Sequence, residues 1–138
     1  MSTRGTIVFV DNGVELVRLY NHCDSYPSGL GKDIAEWLSS KRIGNGIGRG
    51  ANANFANGTG CLVAQFIRDF KQGAGGLYVV PMDFGCENYN YRIEIDYDDL
   101  ATRSCNEVVK IKVTKEDNEE PIFKGNVNEF IDWIEEGK

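Results

Sequence analysis

The chain has 138 residues, 41% of them hydrophobic, with two Trp, seven Phe and six Tyr, and a formal net charge of −6. That content supports one core without disulfide or metal staples and excludes wholesale disorder. The acidic balance excludes a general DNA or RNA binder, because counterion release needs a broad basic surface.

No apolar run approaches the ~20 residues of a membrane span, and MSTRGTIVFV lacks the pattern of a signal peptide, so one cytoplasmic, soluble domain over residues 1–138 is expected. Gly5 to Val10 and Glu15 to Tyr20 are β-branched, partly alternating runs joined by Asp11-Asn12-Gly13, which predicts an opening hairpin. After Pro27, Ser28 can cap a helix to about Ser40, with Leu30, Ile34, Trp37 and Leu38 on one face. Asn57 or Thr59 can cap a second helix through Phe70, stopped at Gln72-Gly73.

Leu77 to Pro81 and Tyr89 to Tyr97 read as two more strands, the latter with Tyr89, Tyr91, Ile93, Ile95 and Tyr97 on one face. Glu107 to Lys115 alternates again, and a polar turn leads into a short strand, Pro121 to Lys124. Asn126 and Glu129 stand at capping-box spacing before a third helix, whose stripe is Val127, Phe130, Ile131 and Ile134. Without regular βαβ alternation, this order predicts an α+β domain: an antiparallel or mixed sheet of about five to six strands with three helices packed against it.

Cys23, Cys61, Cys86 and Cys105 are widely spaced, with no C-x-x-C pair and one histidine, His22, so buried or reduced thiols are expected and no metal or cofactor. Charge is more informative. Residues 37–68 hold Lys41, Arg42, Arg49 and Arg68 and no carboxylate, leaving −10 on the remainder of this −6 chain. The window centres on a Gly/Asn-rich loop, Ile43 to Gly60. Its glycines alternate every second residue and follow a helix, which fits neither a P-loop nor a dinucleotide fingerprint. The loop is either a helix connector or an anion cradle of glycine N–H groups, a helix start and arginines.

His22 and Asp24, in HCDSYP, could form an acid–base pair, although the neighbouring proline favours a fixed turn. The Tyr-rich face reads as packed sheet. Phe84 lies in a polar loop beside Asn88, Asn90 and Arg92, where an aromatic can stack a base and an amide can read its edge, or the ring can fold back on the core.

STRGTI, LYNHCDSYPSGLG, NGTGCLVAQFIRDF, GGLYVVP, NYNYRIEI and FKGNVNEFIDW together resemble the small phage-encoded anti-Thoeris proteins of the first described type. The likeness covers almost the whole chain except the glycine loop and the acidic turn, and Ser25 stands where a D-G-Y-P turn would place glycine. The resemblance implies a sponge, not an enzyme, which holds cyclic ADP-ribose isomers made by TIR-domain defence proteins without cleaving them. Some relatives also capture cyclic oligonucleotides of CBASS defence at a second site, as dimers assembled into hexamers.

Together these readings nominate Phe84 for stacking, Asn88 or Asn90 for the base edge, and Arg92 or Arg103 for phosphate, with Arg18 in support. Arg49, Asn54, Asn57 and Arg68 are the candidates for a second, larger anionic ligand at an oligomer interface. The expected partners are small anionic nucleotides and further copies of the chain, with no DNA and no membrane. Two rivals stand beside this: an enzyme using His22 and Asp24, and a protein-binding inhibitor using the carboxylates between Glu116 and Glu136.

Overall fold

The computed structural model describes residues 2–44, 54–96 and 103–137, with the side chains of residues 103 and 104 outside that description. The opening hairpin forms as the alternation predicts: β1 (Gly5–Asp11) and β2 (Val14–Asn21) are antiparallel. Asn12 and Gly13 both take positive φ, 52° and 84°, as a two-residue hairpin turn demands. A register shift between Phe9 and Val10 kinks the pair.

The first helical segment departs from its expected start. Pro27–Gly31 is a single π-helical turn that runs into α1 (Lys32–Ser39), and Ser28 does not cap it. The cap position is Tyr26, and the turn's N–H groups find backbone acceptors instead: Gly29 donates to the Tyr26 carbonyl and Leu30 to that of Asp24. Asp24 adopts φ 57°, whereas Ser25 does not need glycine's freedom. Ser25 is fully buried, its Oγ accepting from Asn21 Nδ2 at 2.9 Å and its carbonyl accepting from Tyr91 Oη at 2.6 Å.

The ends of the glycine loop are structured. β3 (Arg42–Gly44) and β4 (Phe55–Asn57) pair in parallel, and β7 (Arg103–Ser104) adds antiparallel to β3, giving a three-stranded sheet that the sequence pattern did not suggest. α2 (Gly58–Phe70) follows with Asn57 at its cap position, though the Asn57 side chain makes no cap bond there. Phe66, Phe70, Trp37 and Phe9 interlock, with the Phe66 and Phe70 rings stacked at 4.0 Å.

The main sheet has six strands in the order β5-β2-β1-β6-β8-β9, formed with β5 (Leu77–Val80), β6 (Tyr89–Ile95), β8 (Val109–Lys115) and β9 (Phe123–Asn126). β6 runs parallel to β1 and every other neighbour is antiparallel, so the sheet is mixed. A one-turn helix, α3 (Cys105–Val108), precedes β8. α4 (Val127–Glu135) closes the fold with the expected capping box: Asn126 Oδ1 accepts from Glu129 N and Glu129 Oε1 accepts from Asn126 N, both at 2.8 Å.

Alternation then sorts the sheet into two faces. Ile7, Phe9, Leu19, Tyr91, Ile93, Ile111 and Val113 point to the helices and form one contiguous core with Ile34, Leu38, Leu62, Phe66 and Phe130. Of the expected tyrosine face, Tyr91 is 1% exposed, Tyr89 is half-buried and Tyr97 lies outside the described residues; burial raises the Tyr91 phenol pKa well above the ordinary value. The opposite face of the sheet bears Thr6, Arg18, Tyr20, Asn90, Arg92 and Lys112, with no described helix against it. Among the described residues no helix is long and apolar enough to cross a membrane.

Candidate functional site

Cross-strand register arranges that outer face in rows. One row reads Val80, Arg18, Val8, Arg92, Lys112, Lys124 from β5 to β9. A neighbouring row reads Tyr78, Tyr20, Thr6, Asn90, Thr114. Four cations thus share one row on an acidic protein, Arg18 set off from the other three by Val8 and next to an aromatic corner.

Glu15 holds the arginine end of the cationic row. Its two carboxylate oxygens accept from Arg92 Nη1 at 2.9 Å and Arg18 Nη2 at 3.3 Å. A carboxylate shared by two guanidiniums leaves a net positive centre. The Arg18 side chain is only 15% exposed, and its buried Nε–H has no hydrogen-bond partner among the described residues. A buried donor without an acceptor costs stability unless something else accepts from it. A groove of about 260 Å³ opens here, lined by Thr6, Arg18, Arg92 and Lys112, with Asn118 and Glu119 overhanging.

Phe84 joins the aromatic corner. Its turn is fixed by the Phe84 N–H donating to the Pro81 carbonyl, and its half-buried ring packs on Tyr20 at 5.5 Å, tilted by 60°. The ring therefore folds back on the sheet's outer face and not into the core. Tyr78, 48% exposed, lies 6.0 Å from Tyr20 on the other side. Tyr20 Oη pairs with His22 Nδ1 at 2.9 Å, and no ion pair joins His22 to Asp24, so the acid–base pair considered from sequence is not assembled.

Several candidates need correction. Asn90 is not a base reader: its Oδ1 accepts from Thr6 Oγ1 at 2.6 Å and from Glu87 N at 2.9 Å, while its Nδ2 donates to the Glu87 and Glu116 carbonyls. An amide with both ends committed to the fold has no edge to offer. Asn88 is exposed, but its Oδ1 already accepts from the Arg4 N–H, leaving its NH₂ as the available group beside a surface depression shared with Arg4, Cys86 and Glu116. Arg103 pairs its backbone with Ile43 in the small sheet, and its side chain lies outside the described residues.

The second candidate set fares similarly. Arg49 lies outside the described residues. Arg68 is engaged by the first carboxylate beyond the acid-free window: Asp69 accepts from its Nε at 2.8 Å and its Nη2 at 3.1 Å. That bond, joined by a 2.8 Å donation from Trp37 Nε1, lowers the Asp69 carboxyl pKa to about 2. Asn54 supplies its backbone carbonyl to the Arg42 N–H, and Asn57 is exposed at the start of α2. Beside that helix start the protein already places an anion of its own, because Asp11 Oδ1 accepts from the Thr59 hydroxyl at 3.2 Å. Lys41 is 4% exposed and sits 4.8 Å over the Trp37 ring. Among the described cations of the window, Lys41 and Arg68 thus have structural partners.

Two features escaped the sequence reading. The row of Lys112 and Lys124 beside Arg92 depends on long-range pairing. An acidic groove of about 490 Å³, with Asp24, Asp33, Glu36 and Asp69 around Leu30 and Trp37, depends on how α1 meets α2.

Comparison with protein-family models, curated proteins and solved structures finds no match to this chain.

Proposed function

We propose that the protein is a non-catalytic binder of small anionic nucleotides, acting as an immune-evasion sponge for cyclic ADP-ribose isomers in the cytoplasm of an infected bacterium. One observation carries the reading. Arg18 and Arg92 converge on Glu15 with an unpartnered Arg18 Nε–H, directly beside the Phe84–Tyr20–Tyr78 corner. Guanidinium donors suit phosphate oxygens and an aromatic surface suits a base, so the pair matches the two halves of a nucleotide. The resemblance to the anti-Thoeris proteins names the signal and an oligomer of dimers assembled into a hexamer. Capture of cyclic oligonucleotides at the glycine loop, through Arg49, Asn54, Asn57 and Arg68, belongs to the same proposal.

A sponge depletes its signal only if it binds well below the signalling concentration, roughly nanomolar or about −12 kcal/mol. Calorimetry with cyclic ADP-ribose isomers tests this directly. Wild-type protein is expected to bind one isomer near that affinity, and Arg92→Gln to weaken it by about tenfold to a hundredfold, the loss of one hydrogen bond to a charged group. No binding of any isomer, or an Arg92→Gln isotherm identical to wild type, refutes the reading. The acidic groove at Asp24, Asp33, Glu36 and Asp69 supports a second reading, docking of a basic host protein. Charge reversal there that abolishes the biological effect, without any nucleotide binding, would favour it.

A further inference from the structure

The outer-face row continues past the arginines into Lys112 and Lys124, and the next row adds Lys110; none of the three holds an ion pair with any described residue. Lys112 stands directly opposite Arg92 on one side and Lys124 on the other, with Lys110 two residues along its own strand and Thr114 as its fourth in-plane neighbour. Lys110 lies between Glu94 and Asn126 in the next row. Like charges set directly opposite one another across strands oppose folding. This fold nevertheless pairs Lys112 with a cation on both sides, while Glu15, which is ion-paired to the row, is taken by Arg18 and Arg92.

The arrangement is local and not a general cationic surface. Glu94 stands opposite Lys110, Glu119 lines the neighbouring groove, and the chain as a whole is acidic. Between Arg92, Lys110, Lys112 and Lys124, with the carboxylate of Glu94 also in its lining, lies a depression of about 190 Å³, large enough for a phosphate group and its immediate surroundings. Its floor is the β6–β8–β9 ladder, whose neighbouring strands stand ~4.8 Å apart, a spacing that the flexible lysine stems can span to reach one tetrahedral anion.

We propose that Lys110, Lys112 and Lys124 form a second phosphate subsite. It adjoins the Arg18–Arg92 centre, with Arg92 and Lys112 lining both, and together they select ligands carrying at least two phosphate groups. The proposal rests on the nucleotide-binding reading for the ligand's base, but the lysine subsite stands on its own geometry. The shared chemistry is a di- or oligophosphate, which a nucleotide or an inorganic polyphosphate can supply. Lysines act here as point charges whose repulsion is relieved when the anion arrives.

The test uses the full chain with adenosine monophosphate, adenosine diphosphate, inorganic tripolyphosphate and a short single-stranded oligonucleotide. Calorimetry of wild type and the Lys112→Gln/Lys124→Gln variant measures the affinity ratio of diphosphate over monophosphate. That ratio is expected to fall by about tenfold in the variant, since charge-assisted contacts to one phosphate are lost. The variant should melt at the same temperature as wild type or higher, because two like-charge pairs are relieved. Backbone amide NMR with tripolyphosphate should shift Lys110, Lys112 and Lys124 while leaving Phe84 and Tyr20 unmoved.

An unchanged ratio, an unshifted β8–β9 hairpin, or an oligonucleotide bound more tightly than the diphosphate each overturns the subsite. Tripolyphosphate shifts at the lysines without any nucleotide binding would uphold the subsite and refute the nucleotide reading. Equal binding of both nucleotides with unmoved lysines would do the reverse.

Discussion

Asn90→Ala should destabilise the protein, because this side chain is a fastener between strands and not a ligand contact. Its amide makes four hydrogen bonds: Oδ1 with Thr6 Oγ1 at 2.6 Å and Glu87 N at 2.9 Å, Nδ2 with the carbonyls of Glu87 at 3.0 Å and Glu116 at 2.9 Å. Thr6 is fully buried, so its hydroxyl would be orphaned, whereas Glu116 is exposed and water can replace its bond. At about 0.5–1.5 kcal/mol per bond, with the exposed one discounted, the loss is roughly 2–4 kcal/mol. At about 4 °C per kcal/mol for a domain of this size, the melting temperature should fall by roughly 8–16 °C. Thermal and urea unfolding followed by circular dichroism measure it, and a Thr6→Val/Asn90→Ala double variant should lose less than the sum of its parts. A loss below about 0.5 kcal/mol, the level of an ordinary surface change, would refute the assignment and return Asn90 to the ligand candidates.

Two further outcomes test other parts of the structure. Asp69, whose pKa is lowered by Arg68 and Trp37 to about 2, contributes stability that is present above its ordinary value of 3.8 and is lost as pH falls towards 2. Asp69→Asn should therefore flatten the decline of stability across that acid window, and parallel wild-type and variant pH curves would contradict it. Exposed Cys23 and Cys86 should alkylate rapidly in native protein at pH 8. Cys105 should not, since it is fully buried and desolvation pushes its thiol pKa up to about 12. Mass spectrometry before and after denaturation reads this, and early labelling of Cys105 would show that its site opens.

The sequence made local order legible and long-range order much less so. Asn-Gly between alternating runs specified the first hairpin, and N-x-x-E before an apolar stripe specified the last helix, because both signals act within a few residues. The strands of the small sheet, two or three residues long, are too short for a period to show. Ser28 looked like a cap because it followed Pro27, but the backbone carbonyls of Asp24 and Tyr26 do that work.

The candidate site divides the same way. Alternation alone places Asn90 and Arg92 on the face opposite Tyr91, but only the pairing of β6 with β1 and β8 brings Arg92 beside Lys112 and level with Arg18. Nothing within β6 shows that Asn90 is spent on Thr6, a contact 84 residues away. Arg68 is a different case, since its partner Asp69 is the next residue, and ending the acid-free window one position later would have found it.

Capture without conversion is what the proposed sponge must perform. Protein in molar excess is incubated with each cyclic ADP-ribose isomer in turn, the solution is filtered, and the retained protein is denatured and its released contents chromatographed. The prediction is that ligand disappears from the filtrate and returns unchanged and in full on denaturation. Ligand remaining in the filtrate, or recovery as a hydrolysed product, would contradict the claim.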